Sequence, residues 1–429
     1  MDYKEAMGYI TSTYKFGSKA GLERIERLLE ILGNPHKGLK FVHIAGTNGK
    51  GSLTAYMSSV LEKAGYKTGV FVSPFLQRFS ERIRIGQVEI SDEDIVENIL
   101  KIKAAIGIME QDSADHPTEF EILTAMAMMH YKNNNCDIVV LEVGMGGIVD
   151  STNIISDESS IVSVITTIGF DHMQYLGNTL VEIAEKKAGI IKQNGHVVLY
   201  PQADEVMEVF EKCVLAKNAT LEKLGKDDIN IISETIDGTI FDFGGLKGLE
   251  IKLLGSYQAY NASLVVMACK ALNAKGFEIS ENILRQGLKD ARWAGRFEIV
   301  NKNPMVIIDG AHNLEGALGF ANGLKHYFGE KKLTFICGFL ADKDYGAMLE
   351  PFIPMAKRFI TLTPDYPTRA LPAEELRDYL LKHHNEVNAK TSVNEALEYA
   401  ISTATSDDII CVFGSLYYIG YVRDYFGLQ

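Results

Sequence analysis

Along the chain the spacing of apolar residues changes in a regular order. Leu22, Ile25, Leu28, Leu29 and Leu32 recur at helical intervals until Gly33-Asn34-Pro35 stops the run. A short apolar strand follows, Phe41-Val42-His43-Ile44-Ala45, then a glycine-rich turn and a helical stretch from about 50 to 64. Further strands are expected at 69–72, 138–143, 163–168 and 197–200, with helical patterns between them. Strand alternating with helix predicts a mostly parallel sheet covered on both faces.

From 229 to 254 the pattern shifts to β-branched and aromatic residues broken by Asp237-Gly238 and Gly244-Gly245, which predicts a small hairpin-like insertion. Helices are expected over 258–275 and 280–291. The stretch 290–303, containing Trp293-Ala294-Gly295-Arg296, marks a boundary because a new alternation begins after it, with strands at 305–308, 333–337, 359–362 and 409–413. The reading is an α/β protein in two domains. Residues 1–295 are expected to form a domain with a mostly parallel sheet and a small β insertion, and residues 296–429 a smaller Rossmann-like domain.

Composition narrows the function. With 429 residues, 46% of them hydrophobic, the chain can bury more than one core. A formal charge of −13 argues against nucleic acid, whose phosphates demand a basic footprint. Cys136, Cys213, Cys269, Cys337 and Cys411 lie too far apart for a metal knuckle or a disulfide framework. The start Met1-Asp2-Tyr3-Lys4-Glu5 has no secretory character, and no apolar run reaches the ~18 residues of a membrane span. The expectation is a cytoplasmic protein that meets no membrane.

The strongest chemical signal is Gly46-Thr47-Asn48-Gly49-Lys50-Gly51-Ser52, placed between a strand and a helix, where backbone N–H groups and the helix dipole favour an anion. Lys50 can neutralise the β- and γ-phosphates of ATP, and the Ser52 hydroxyl can hold Mg²⁺. An additional Gly51 separates lysine from serine, a departure from the common spacing. Glu142 ends the strand Ile138-Val139-Val140-Leu141-Glu142, at the edge of a parallel sheet where ligands bind. A buried carboxylate there needs a positive partner, and Mg²⁺ on the ATP phosphates is one. Ser73, before Pro74, and His172, after Asp171, follow strands of the same kind.

Taken in order, the loop 46–52, Ser73-Pro74-Phe75 with Glu81-Arg82-Ile83, Glu142-Val143-Gly144, Asp171-His172 and Lys187-Ala188-Gly189-Ile190-Ile191-Lys192 resemble folylpolyglutamate synthase and dihydrofolate synthase, of the Mur ligase superfamily. The resemblance continues through Asn261, Arg296, Asp309-Gly310-Ala311-His312-Asn313, Ala341-Asp342-Lys343-Asp344 and Gly414-Ser415-Leu416-Tyr417, so it spans essentially the whole chain. It implies that ATP phosphorylates a folate carboxylate and that the amine of L-glutamate attacks the acyl phosphate. It further implies an ATP site made by Thr47, Asn48, Gly49, Lys50, Gly51 and Ser52, with Asn261, Arg296 and Asp309 holding the nucleotide across the domain boundary. Ser52 and Glu142 serve a first Mg²⁺, and Ser73, Glu142 and His172 a second. Pro74, Phe75 and Arg82 belong to the folate side, His312 and Ser415 to the glutamate side. Lys187 matches a lysine that family members carbamylate to support the metal site; the plain alternative is an unmodified lysine on phosphate. A monovalent cation and a monomeric state complete the expectation, with folate or dihydropteroate as the acceptor.

Some positions depart from the pattern. Ile148 stands where many relatives place arginine, and Tyr257 where several place histidine. Arg82 and Arg84 either face an anionic folate tail or lie on a solvated strand face; Phe75 and Phe79 either stack on a pterin or pack in the core. A peptidoglycan-type ligase would need a further domain of ~100 residues before Gly46. A GTPase would need an Asn-Lys-x-Asp guanine reader, and Asn301-Lys302-Asn303-Pro304 lacks the aspartate. A non-catalytic nucleotide-gated module would have no use for Glu142, His172 and Asp309.

Overall fold

A computed structural model describes residues 1–17, 20–112, 114–366 and 368–428. Among the described residues the strands form three sheets. The first contains β1 (Phe41–Ala45), β2 (Thr68–Phe71), β3 (Ile83–Ile85), β4 (Val88–Glu89), β5 (Ile138–Glu142), β6 (Ser160–Ile165), β7 (His196–Leu199) and β8 (Thr220–Lys223), in the order β4-β3-β2-β5-β1-β6-β7-β8. The six strands from β2 to β8 along this order run parallel; β3 is antiparallel to β2, and β4 is antiparallel to β3. β1 is buried at every residue, as a strand covered on both faces must be.

Two tight turns make the second sheet a local affair: β9 (Asn230–Thr235), β10 (Gly238–Phe243) and β11 (Leu246–Ile251) pair in the order β11-β10-β9, with Gly238 and Gly244-Gly245 at the turns. The third sheet contains β12 (Glu298–Lys302), β13 (Met305–Asp309), β14 (Leu333–Cys337), β15 (Ala356–Thr361), β16 (Val387–Ala389) and β17 (Ile409–Phe413), ordered β12-β13-β17-β14-β15-β16. Only β12 is antiparallel to its neighbour there.

The chain divides into two compact units. One contains Met1–Asn230, Asp242–Leu249 and Tyr260–Ala291; the other contains Ile231–Phe241, Glu250–Ala259 and Arg292–Gln429. Helices Lys50–Lys63, Asp92–Gln111 and Glu119–Asn133 belong to the first unit, and the last two supply the apolar cluster of Ile95, Ile99, Ile102, Ile122, Met126 and Tyr131 that packs with Phe71 and Leu141. No helix among the described residues is long and apolar enough to cross a membrane.

The second unit is held by aromatic rings. Phe335 on β14 meets Phe352, Phe359 and Phe413 at centroid distances of 5.3, 5.5 and 5.9 Å, and none of the four is exposed. Truncating such a ring removes its transfer energy and leaves a cavity that fixed neighbours cannot fill. Phe335→Ala should therefore destabilise this unit by about 3–5 kcal/mol. The single tryptophan, Trp293, lies in the same unit, so its fluorescence during urea unfolding reports the loss directly. An unchanged midpoint would contradict the central place given to this ring.

Candidate active site

Parallel register brings four loops of the first unit to one edge. Phe71 of β2 pairs with Leu141 of β5, Ile44 of β1 with Glu142, and Ala45 with Ile165 of β6. The chain therefore leaves these neighbouring strands at Ser73, Glu142, Gly46 and Thr166 side by side. Residues more than one hundred apart in sequence meet because successive strands end level.

The Gly46 loop is latched to the segment after β6. Thr47 N–H donates to the Thr167 carbonyl at 2.6 Å, Thr47 Oγ1 donates to the Gly169 carbonyl and accepts from Gly169 N–H, each at 3.0 Å, and the Thr167 hydroxyl donates to the Asn48 carbonyl at 3.2 Å. A side chain at Gly46, whose φ is 145°, would collide with the Thr166 hydroxyl, so the loop can lie this close only as glycine. Helix Lys50–Lys63 then starts from Gly49 with φ 90° and no side-chain cap, leaving its N-terminal dipole to act on the loop. Ser52 is buried in its first turn, and Asn261 lies against Gly49, 2.9 Å from where a Cβ would stand.

Two ammonium groups converge on one carbonyl. Lys50 Nζ donates to the Gly46 and Thr47 carbonyls at 3.1 Å each, and Lys187 Nζ donates to the Gly46 carbonyl at 2.7 Å. Lys187 ends helix Leu180–Ala188 and is 5% exposed. Burial first, then the charge of Lys50, hold its pKa down to about 7, while Asp171 and Asp150 oppose the shift. Such an amine is substantially neutral near pH 7 and nucleophilic.

Glu142 is buried at the end of β5, whereas His172 is half exposed, in a left-handed conformation as the first residue of a short helical turn. Asp171 beside it is the more buried of the two, with 8% of its side chain exposed. Ser73 is half-buried and Pro74 exposed, joined by a cis peptide. Arg82 does not lie on a solvated face: it is 9% exposed, donates to Glu119 at 2.5 Å, and sits over the rings of Phe75 and Phe79 at 5.2 and 5.6 Å. Phe79 is buried in the core and Phe75 half-buried against it.

In the second unit, Asp309 closes β13 and pairs in register with Phe413 of β17. Its carboxylate accepts from Phe297 N–H at 2.8 Å and Ala311 N–H at 2.7 Å; burial raises its pKa, against the pull of the Arg296 charge. His312 Nδ1 lies 2.8 Å from the Gly310 carbonyl, which can only accept, so Nδ1 carries a proton. Ser415, 2% exposed, accepts from Tyr417 N–H to start the last helix, on the strand end adjacent to that of Asp309. Tyr257 is half-buried, and desolvation and Asp309 raise its hydroxyl pKa, which makes it a neutral ring rather than a titrating group.

Sequence reading did not find Thr166, Thr167, Glu119 or the charge role of Asp150 and Asp171. Threonines after a strand and a glutamate at a helix start carry no pattern of their own; only tertiary contact reveals them.

Comparison with known proteins gives the family. Residues 44–269 match the Mur ligase middle domain, and residues 295–416 match the Mur ligase glutamate ligase domain. The chain is 35% identical over 431 residues to a dihydrofolate synthase/folylpolyglutamate synthase of Bacillus subtilis, covering 98% of both chains. It is 35% identical over 441 residues to a folylpolyglutamate synthase of Lacticaseibacillus casei, covering 99% of this chain and 98% of that one. Among solved structures, a Mycobacterium tuberculosis folylpolyglutamate synthase complexed with ADP and AMPPCP superposes with a TM-score of 0.90, at 29% identity and full coverage of both chains.

The lowered pKa of Lys187 has a stability consequence whose sign is fixed. Between the folded value of about 7 and the ordinary lysine value of 10.5, the unfolded chain binds a proton that the folded chain does not. Unmodified wild type must then gain stability with rising pH relative to Lys187→Met, by up to about 1.4 kcal/mol per pH unit between the two values. Urea unfolding of both proteins at pH 7, 8 and 9, in buffer free of carbon dioxide and nucleotide, measures it. A pH-independent difference would mean that Lys187 stays protonated in the fold.

Proposed function

The chain belongs to the folylpolyglutamate synthase and dihydrofolate synthase family of Mur ligases, and we propose that it joins L-glutamate to a folate-type carboxylate by way of an acyl phosphate, releasing ADP and phosphate. The observation that carries this reading is the convergence of Lys50 and Lys187 on the Gly46 carbonyl, at the sheet edge that also bears Glu142. The Lys50 charge, an uncapped helix start and backbone N–H groups make a seat for the β- and γ-phosphates of ATP.

A carboxylate resists amines because its charge repels nucleophiles and its oxygen leaves poorly. Attack of a substrate carboxylate oxygen on the γ-phosphorus expels ADP and repairs both faults. Lys50, beside the transferred group, offsets charge on the phosphate oxygens. The neutral amine of glutamate then adds to the acyl carbon, phosphate leaves, and the amide forms with loss of one proton. His312 is our candidate to take that proton, and Ser415 to orient the incoming amino acid. Asn261 in the first unit and Arg296 and Asp309 in the second are proposed to hold the nucleotide, together with Thr47, Asn48, Gly49, Gly51 and Ser52.

Mg²⁺ is usually held through one or two carboxylates and completes its shell with phosphate oxygens and water, and the buried Glu142 at the end of β5 is a carboxylate at this edge. Ser52 with Glu142, and Ser73, Glu142 and His172, are the groups that would hold one ion each. When bound, Mg²⁺ supplies neutralisation of the phosphate charge. A carbamate on Lys187 follows from the same geometry, since carbon dioxide adds only to a neutral amine and the Lys50 charge favours the resulting anion. On the folate side we place Pro74, Phe75 and Arg82. We take the protein to act as a cytoplasmic monomer.

The test measures phosphate release from ATP and Mg²⁺ with glutamate, in parallel with dihydropteroate and with tetrahydrofolate, and mass spectrometry of the products. Glutamylated product is expected from tetrahydrofolate; product from dihydropteroate as well assigns the second activity. ATP binding without product from either acceptor would sink the ligase reading. Glu142→Gln should lower kcat by about 10²–10³ with ATP still bound, in keeping with loss of a group that acts on developing charge. A carbamate carbon resonance after incubation with ¹³C-bicarbonate, absent in Lys187→Met, would establish the modification.

A further inference from the structure

We propose that His43 and Thr152 are positioning residues of this ligase: acting through Asp150, they fix the loop that follows Glu142 to the strand that carries the phosphate loop. The inference rests on the role given to Glu142 above and goes beyond it, since neither residue touches the seat itself.

The contacts form one buried path. Thr152 Oγ1 lies 2.5 Å from Asp150 Oδ1, Thr152 N–H donates to the same oxygen at 3.0 Å, and Asp150 Oδ2 accepts from Met145 N–H at 2.7 Å. His43 Nε2 lies 2.9 Å from Thr152 Oγ1. Because the threonine hydroxyl gives its proton to the carboxylate, it can only accept from the imidazole, so His43 carries its proton on Nε2. His43 and Thr152 have no exposed surface, and Asp150 is 6% exposed. Burial pushes the His43 pKa down to about 3, so the ring is neutral.

The path matters because of where backbone pairing stops. The ladder between β5 and β1 fixes Glu142 opposite Ile44, and its last bond runs from Val143 N–H to the Ile44 carbonyl at 2.9 Å. Beyond it, Met145 N–H on Asp150 and Ile148 N–H on the Lys186 carbonyl, at 2.9 Å, tie the loop down. Asp150 thus stands between the end of the Glu142 strand and the helix bearing Lys187. His43 lies three residues before Gly46 on β1 and binds the far side of the same assembly.

A purely structural role explains His43 poorly. Its Nδ1 is buried without a hydrogen-bond partner, an unfavourable arrangement that a leucine would avoid. What leucine cannot do is orient the Thr152 hydroxyl. Ser151, held separately by Thr124 at 2.7 Å, keeps the turn attached when the Thr152 hydroxyl is removed, so variants there should fold.

The experiment uses full-length His43→Leu, Thr152→Val and Thr152→Ser. Amide hydrogen exchange of the free proteins should quicken about tenfold over 143–147 in the first two, with strands β5 and β6 unchanged, and kcat should fall about 10-fold, the lower end expected for groups that orient a metal-site ligand. The KM for glutamate should stay within a factor of two by the same argument, and Thr152→Ser should behave as wild type. Unchanged kcat in both variants would overturn the proposal. So would quickened exchange along all of β5 and β6 with a lowered unfolding midpoint, since that is the mark of a structural role alone. Absence of glutamylated product in wild type would sink the ligase reading instead, and exchange over 143–147 would still decide whether the path positions the loop.

Discussion

The carbonyl of Gly46 accepts from two ammonium groups, and much of the site follows from that one arrangement. Lys50 and Lys187 reach it from the start of one helix and the end of another, and their charges repel each other across it. The conflict is relieved in two ways. Burial and the Lys50 charge push Lys187 toward its neutral form, and an anion outside the loop would satisfy Lys50 together with the helix start. A chain with a net charge of −13 thus holds a locally cationic seat, so overall charge says little about which ligands bind.

That seat depends on strands that end level. β2, β5, β1 and β6 are neighbours, and their register sets Ser73, Glu142, Gly46 and Thr166 in a row. The phosphate loop is further pinned to residues 167–169 through threonine hydroxyls, so its shape is set by the next strand and not by its own glycines alone. The β6 strand shows the same constraint from the other side. Sequence pattern extends it to 168; the strand ends at Ile165, and backbone bonds then continue from Thr166 N–H to the Ala45 carbonyl and from Thr47 N–H to the Thr167 carbonyl, joined by the Thr166 and Thr167 hydroxyls.

What could be read from sequence was whatever a local pattern encodes. The strand, glycine turn and helix at 41–63, the hairpin segment near 230–251 and the strands from 305 onward all carry period and punctuation. Lys50, Ser52 and Glu142 were legible for the same reason, since each sits at a fixed offset from an element end. Short edge strands such as β8, β12 and β16 were not, because three to five residues beside a covered sheet have no period of their own. Nor was the burial of Lys187: a lysine in the last turn of a helix usually reads as a solvated charge near the dipole. Glu119 and the Thr152–Asp150–Met145 path depend on contacts that no spacing rule contains.

Arg82 shows how such contacts change a functional argument. On a solvated strand it would draw an anionic substrate by net charge, with little geometric preference. Paired with Glu119 and packed over Phe75 and Phe79, it forms instead a nearly neutral, oriented unit, with both partners' side chains mostly buried. Its Nε is buried without a hydrogen-bond partner, while the fork is held by Glu119 through one terminal nitrogen. A guanidinium in that state discriminates by the direction of its remaining donors and by the shape of the aromatic wall beneath it, because its charge is already largely answered. In the proposed function, selection among folate acceptors then rests on fit to a preset plane, and long-range attraction on the Lys50 charge at Gly46.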